Sequence, residues 1–111
     1  MSCLVYILSP RDLSFIAKAT GEPGRYWWVE RNAEHAAAVG AAVRGHAGVS
    51  PNILDHCKLN AARIEFVSAQ SSIRRVYAGK VNGVYLGLEV PETGLVAELR
   101  SRAKIDNGWW M

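Results

Sequence analysis

Asp55, His56 and Cys57 are consecutive residues of the types that serve in covalent catalysis as the residue that orients the base, the base and the nucleophile. Such a site requires the nucleophile and the base to meet at hydrogen-bond distance. We predict a helix over residues 52–61, and consecutive helical side chains do not face each other. Catalysis by Cys57 would therefore need a distant histidine. A second candidate base is His35, if it borders a cleft.

Metal and cofactor signals are weak in this chain. The two cysteines, Cys3 and Cys57, and the three histidines lack the CxxC and HxxxH spacings of zinc sites. We expect both cysteines to be reduced thiols. The segment Gly21–Arg25 faintly resembles a phosphate-binding loop, but it lacks the spacing of the known motifs and contains an acidic residue. The sequence predicts a turn there, no metal and no cofactor.

Two Trp-Trp doublets are the strongest sign of a binding surface. Neighbouring strand residues point to opposite faces, so one indole of the first doublet should enter the core and the other should leave it. The second doublet lies close to the last residue, where many chains fray. At least one large ring should therefore need a partner. We expect a small apolar or cationic ligand, or a protein partner, to contact Tyr26, Trp27, Trp28, Tyr85, Trp109 and Trp110.

Basic residues in the second half of the chain support an alternative hypothesis. Arg74, Arg75 and Lys80 fall close to Tyr85 in the sequence. Aromatic rings that alternate with cations on a sheet can stack on bases and hold phosphates. In this alternative the protein associates with nucleic acid, and its affinity falls steeply as salt rises.

The first half of the chain predicts two strands and two helices. An apolar run predicts a buried strand over residues 3–8. Ser9, Pro10 and Asp12 then form the N-cap, first-turn proline and capping-box pattern of a helix over 10–20, although a strand through 13–19 is an alternative. An aromatic segment predicts a strand over 26–30, and an alanine-rich segment predicts a helix over 33–45.

The second half predicts mainly antiparallel strands. After the predicted helix at 52–61, a β-branched segment indicates a strand over 63–68. Asn82-Gly83 is the preferred centre of a two-residue hairpin turn, which would join strands 73–81 and 84–90. Thr93 can cap a final helix over 93–103. The fold class is therefore α+β, with a mostly antiparallel sheet packed against the helices in a single domain, 1–111.

Composition limits the class of protein. Of the 111 residues, 50% are hydrophobic and 21% are charged, which is typical of a globular domain. The formal net charge of +3 is only mildly basic. No apolar run is long enough to cross a bilayer, and no signal peptide is apparent. We expect a cytoplasmic protein without membrane contact.

These observations predict a small binding or accessory protein rather than an enzyme, and we assign no catalytic residue. Large aromatic residues are enriched at interfaces, and twofold dimers are the commonest assemblies, so a homodimer is expected. The alternatives are the nucleic-acid hypothesis and a small enzyme with a His or Cys in a pocket beside Trp28.

Overall fold

A computed structural model of the protein describes residues 4–49, 56–77 and 79–111, without the side chains of Arg75 and Tyr77. Three helices lie in this part of the chain: α1 (Pro10–Thr20), α2 (Ala33–Ala47) and α3 (Gly94–Ile105). The strands are β1 (Gly24–Glu30), β2 (His56–Leu59), β3 (Ala62–Ser68), β4 (Gly83–Leu86) and β5 (Trp109–Trp110), and a 3-10 helix spans Ile73–Tyr77.

The five strands form one mixed sheet in the order β2-β3-β1-β4-β5. Strand β1 is parallel to both of its neighbours, β3 and β4, and β4 is parallel to β5. Only the β2–β3 pair is antiparallel among the described strands. The α+β class is confirmed, but the prediction of a mostly antiparallel sheet was wrong.

The predicted Asn82-Gly83 hairpin is absent because this segment pairs with β1 instead. Asn82 is bound to β1 on both sides: its amide donates to the Arg25 carbonyl at 2.8 Å, and its side-chain Oδ1 accepts from the Arg25 amide at 3.0 Å. Gly83 begins β4 rather than turning the chain. The region predicted as the first hairpin strand, 73–81, contains the 3-10 helix. The predicted second strand, 84–90, ends at Leu86, and Leu88 beyond it is 72% exposed. Tertiary pairing thus outweighs local turn propensity.

Helices cover both faces of the sheet. On one face α1 and α2 pack on Tyr26, Trp28, Ile64 and Phe66. On the other face α3 and the 3-10 helix pack with Trp27, Val29, Val67 and Val84. Strands buried on both faces do not need an alternation of apolar and polar residues, which explains the continuous burial from Tyr26 to Glu30.

The predicted helices at 10–20, 33–45 and 93–103 are confirmed, as are the strands at 26–30 and 63–68. Each helix begins at a capping side chain: Ser9 for α1, Asn32 for α2 and Thr93 for α3. The alternative strand through 13–19 is excluded by α1. Gly48, with φ of 70°, ends α2 in the left-handed conformation that glycine adopts without strain.

Besides the hairpin, two further predicted elements were wrong where the structure describes them. Residues 4–8 of the predicted first strand are neither strand nor helix, and Val5 and Ile7 are 80% and 85% exposed. Only Tyr6 and Leu8 of this segment pack against the core. Residues 56–59 of the predicted helix at 52–61 form β2, and 52–55 lie outside the described residues. A tight turn at Asn60, with φ of 56°, directs β2 back along β3.

The carboxyl ends of the parallel strands meet the amino ends of the helices. After β3, the Ala69 amide donates to the Glu30 carbonyl at 2.8 Å, and the hydroxyl of Thr93, the α3 cap, donates to the Ala69 carbonyl at 2.7 Å. After β4, the Gly87 amide donates to the Val29 carbonyl at 2.9 Å. In α/β sheets, ligands commonly bind outside this edge of the strands.

No helix in the described residues has the length and apolar character needed to cross a membrane.

Candidate functional site

Four of the six aromatic residues predicted to bind a partner lie in the core. Tyr26, Trp27, Trp28 and Tyr85 are each at most 1% exposed. The expectation that one indole of the first doublet leaves the core was wrong, because both faces of β1 are covered. The assignment of these four residues to a binding surface remains a prediction, and the structure gives them a packing role.

Phe15 of α1 is the centre of the aromatic cluster on the α1 face. Its ring stacks on Tyr85 with centroids 4.8 Å apart, and it meets Trp28 and Trp109 edge-on at 5.6 Å. Edge-to-face and offset stacked geometries are the favourable arrangements of aromatic pairs. Sequence reasoning did not single out Phe15, because an isolated helical phenylalanine carries no signal of its aromatic neighbours.

The two residues of the second doublet have different environments. Strand β5 adds to the edge of β4, with Gly83 opposite Trp109 and Val84 opposite Trp110. The Trp109 ring packs on Tyr26 at 5.6 Å, and the Lys18 ammonium group lies 4.2 Å from its centroid. Trp110 is 48% exposed. Of the four tryptophans in the two doublets, Trp110 is therefore the one whose ring keeps a large exposed surface.

Asp12 is a buried acid at the amino end of α1, and it collects donors from distant parts of the chain. It is 2% exposed, and its Oδ2 accepts from the Tyr6 hydroxyl at 2.7 Å and from the Ser9 amide at 2.9 Å. Its Oδ1 accepts a hydrogen bond from the Tyr85 hydroxyl. Burial, followed by these bonds to Asp12, raises the pKa of both Tyr6 and Tyr85, so both phenols remain protonated donors at neutral pH.

Glu30 is a second buried acid, at the carboxyl end of β1. It is 2% exposed, and the Trp28 indole N–H donates to its Oε2 at 2.8 Å. Burial raises the pKa of Glu30, the Trp28 bond and the charge of His35 oppose that shift, and the negative charge of Asp12 adds to it. A Cβ atom at Gly87 would lie only 2.1 Å from Oε2, so this carboxyl group packs directly against the Gly87 backbone.

The raised pKa of Glu30 predicts a pH-dependent stability. In the unfolded chain Glu30 titrates near its ordinary value of 4.5, whereas in the folded protein it holds its proton to higher pH. The stability that this group contributes is therefore fully present below pH 4.5 and is lost as pH rises through the folded pKa. In the variant Glu30→Gln the amide oxygen still accepts from Trp28, and no charge is buried. We expect this variant to match the parent protein near pH 4 and to exceed its stability increasingly towards pH 8.

Urea unfolding of both proteins across this pH range measures the effect. The matched control is Glu34→Gln, which removes an exposed glutamate from the first turn of α2. Parallel pH profiles for the parent and Glu30→Gln would show that Glu30 titrates alike in the folded and unfolded states.

An open cavity of about 670 Å³ lies beside the carboxyl end of β4 and the end of β5. Two large apolar side chains of its lining are exposed to solvent, Trp110 by 48% and Leu88 by 72%. Its cations come from two helices. Arg11 of α1 donates to the Leu86 carbonyl at 3.1 Å, and Arg100 of α3 pairs with Glu92 at 2.7 Å. The lining includes Arg11, Gly87, Leu88, Arg100, Trp110 and Met111, together with Glu89, whose carboxylate pairs with Arg31 at 2.7 Å.

The buried acids lie behind one wall of this cavity. Gly87 lines the cavity and also contacts the Glu30 carboxyl group. The Arg11 guanidinium lies 4.6 Å from the centroid of the Tyr85 ring, whose hydroxyl donates to Asp12. Sequence reasoning recognised Asp12 only as a capping residue, and it missed Glu30 as a buried acid. The cavity joins α1, α3, β4 and β5, so local sequence patterns carry no signal for it.

The candidate catalytic residues are not brought together. His56 and Cys57 are neighbours on β2 rather than on a helix, so their side chains point to opposite faces. Cys57 is buried, and burial raises the pKa of its thiol, which disfavours the reactive thiolate. The Nδ1 atom of His35 lies 2.8 Å from the side-chain oxygen of Asn32, the residue that caps α2. Within the described residues, no group of three or more metal-binding side chains is arranged around one point.

The predicted nucleic-acid residues fall in and after the 3-10 helix. Arg74 and Lys80 are exposed, and Arg75 lies between them in the 3-10 helix. Tyr85, the aromatic partner predicted for them, is buried on the α1 face of the sheet. The association of these basic residues with nucleic acid remains a prediction, and the buried Tyr85 does not offer them an exposed aromatic ring.

Comparison of the chain with protein-family models, with curated proteins and with solved structures found no match.

Proposed function

We propose that this protein binds a small ligand that has an apolar body and an anionic group, in the cavity beside β4 and β5, and that it does so as a binding protein rather than as an enzyme. The observation that carries the proposal is the combination of exposed Trp110 and Leu88 with the guanidinium groups of Arg11 and Arg100 around one cavity.

The chemistry of the lining favours this class of ligand. A flat apolar body can pack against the Trp110 indole and Leu88, which removes apolar surface from water. Guanidinium groups bind carboxylates, sulfonates and phosphates through charge-assisted hydrogen bonds. Arg11 and Arg100 therefore favour an anion at this cavity over the cationic ligand that the aromatic composition also suggested. The position outside the carboxyl ends of the parallel strands agrees with where open sheets bind ligands.

A protein partner is the second candidate, because Trp110 and Leu88 are apolar side chains at a sheet edge. Strand β5 is the last strand of the sheet, and Trp110 is half exposed on it. A second copy of the chain could cover this edge, as the expected homodimer requires. Mass from light scattering across a range of concentrations measures this, and Trp110→Ala should then convert dimer to monomer.

Anilinonaphthalene sulfonate is a suitable probe for the ligand proposal, because it is an aromatic anion whose fluorescence rises in apolar sites. Its uncharged analogue, phenyl-naphthylamine, has the same type of apolar body without the sulfonate. We expect the folded protein to bind the sulfonate more tightly than the analogue. Trp110→Ala should weaken binding of both probes, by about tenfold for the sulfonate, because a buried aromatic contact contributes roughly 1.5 kcal/mol. Arg11→Gln should weaken only the sulfonate.

The matched control for Trp110→Ala is Ile105→Ala, which removes a 71% exposed apolar side chain at the end of α3. It should leave both affinities unchanged. Near-ultraviolet circular dichroism of each variant distinguishes binding to the folded protein from binding to a loosened core. Equal affinity of the parent, Trp110→Ala and Arg11→Gln for the sulfonate would exclude this cavity as the site.

A further inference from the structure

Three basic residues form one row across strands β2, β3 and β1. Lys58 lies opposite Arg63, and Arg63 lies opposite Arg25. Residues that are directly opposite on neighbouring strands share a face of the sheet. With strands about 4.8 Å apart, the three Cα atoms of this cationic row span roughly 10 Å.

The cationic row lies on the α3 face, in an area that α3 does not fill. The Arg25 guanidinium lies 4.9 Å from the centroid of Trp27, which belongs to the α3-face core. Helix α3 packs mainly on β4, β5 and the 3-10 helix, whereas β2 contacts mainly β3 and α2. Lys58 is exposed, and the side chains of Arg63 and Arg25 are 45% and 23% exposed. All three cations therefore reach solvent.

Glu65 holds two of the three cations in place. Its carboxylate is nearly buried, and Oε1 accepts from Arg63 Nε at 2.8 Å and from Arg25 Nη2 at 3.4 Å. No carboxylate of the described residues lies within ion-pairing distance of Lys58. The row and Glu65 together have a net charge of +2, from three cations and one carboxylate.

Without a bound partner this arrangement opposes folding, because like charges directly opposite each other on neighbouring strands destabilise a sheet. An anionic partner would relieve the repulsion. Gly79 extends the basic area, since a Cβ atom there would lie 3.4 Å from Arg25 Nη1, and Lys80 is the next residue. The aromatic ring beneath Arg25 is buried, so this surface offers charge without a platform for stacking bases.

We propose that the cationic row of Lys58, Arg63 and Arg25 binds the phosphate backbone of a nucleic acid without preference for its bases. Regularly spaced cations on a rigid sheet fit a polymer of regularly spaced phosphates, and Glu65 orients two guanidinium groups before binding. This surface differs from the predicted basic residues Arg74 and Arg75, and Gly79, which lies beside the Arg25 guanidinium, connects it to Lys80.

Fluorescence anisotropy with a labelled oligothymidylate of about 20 nucleotides tests the proposal. Lys58→Gln with Arg63→Gln should weaken binding by about tenfold at low salt and should reduce the slope of log affinity against log salt by about 1.4, because two phosphate contacts are lost. The matched control, Lys18→Gln with Lys104→Gln, removes the same net charge from exposed positions outside the row. It should change affinity by less than about twofold.

Lys58→Gln alone serves as a second variant, because it leaves the ion pairs of Glu65 intact and so preserves the fold. It should reduce the salt slope by about 0.7. Its melting temperature should be no lower than that of the parent protein, because the repulsion between Lys58 and Arg63 is removed. An oligoguanylate or oligoadenylate of equal length should bind as tightly as the oligothymidylate. Equal losses in the row variant and the control, or binding to phosphatidylserine vesicles without binding to any oligonucleotide, would overturn the proposal.

Discussion

Asp12→Ala should lower the free energy of unfolding by about 2–4 kcal/mol, the largest effect expected of a single polar substitution in this protein. Asp12 accepts three hydrogen bonds, from the Tyr6 hydroxyl, the Tyr85 hydroxyl and the Ser9 amide. Its removal leaves the Tyr85 hydroxyl without its acceptor in a site where that side chain is 1% exposed. An unsatisfied buried donor costs about 1–3 kcal/mol, and loss of the capping box adds about 1 kcal/mol.

A double-mutant cycle with Tyr85→Phe assigns this effect to its cause. In the Tyr85→Phe background no Tyr85 hydroxyl remains to be orphaned, so Asp12→Ala should cost about 1–2 kcal/mol less than in the parent. The measurement is urea unfolding at pH 7, with thermal unfolding as a second readout. Asp12→Asn is the conservative control, because its side-chain oxygen still accepts from one donor. Additive costs in the cycle would show that Asp12 and Tyr85 act independently.

Trp109→Ala should destabilise the protein by about 2–4 kcal/mol, whereas Trp110→Ala should cost less than about 1 kcal/mol. The Trp109 ring contacts Phe15 and Tyr26, both with centroid distances of 5.6 Å, and it lies under Lys18. Its deletion opens a cavity beside Phe15 and also weakens the attachment of β5 to β4. Trp110 is half exposed and leaves no such cavity.

Gly108→Ala provides an independent route to the same outcome. A Cβ atom at Gly108 would lie 2.7 Å from the backbone oxygens of Val81 and Asn82, so β5 would have to move away from β4. We therefore expect Gly108→Ala to lower the melting temperature and to shift tryptophan emission towards that of a solvated indole. Similar stabilities of Trp109→Ala and Trp110→Ala would contradict the distinct environments of the two rings.

These point variants also separate core packing from association. A chain truncated after Asp106 loses both Trp109 and Trp110. The loss of Trp109 from the core would by itself destabilise that chain, so the truncation does not report on association. Trp110→Ala removes the exposed ring and leaves the contacts of Trp109 with Phe15 and Lys18 in place. A change of mass in Trp110→Ala therefore reports on a partner rather than on the core.

Local signals in the sequence determined the helices and two central strands. Ser9, Asn32 and Thr93 cap α1, α2 and α3 because a side-chain oxygen can reach the first free amides of a helix only from that position. The aromatic and β-branched residues at 26–30 and 63–68 predicted strands for the same local reason. These patterns depend on residues within a few positions of each other.

Contacts between distant segments decided the direction of the sheet, the fate of the doublets and the candidate site. Asn82-Gly83 favours a hairpin turn in isolation, yet Asn82 binds Arg25 and β4 runs parallel to β1. Helices on both faces then bury Trp27 and Trp28 together, which no alternation along β1 could reveal. Asp12 reaches Tyr85 only after the strands have taken their order, and only then do Lys58, Arg63 and Arg25 form a row. Pairing free energies depend on such contacts, which sequence spacing does not record.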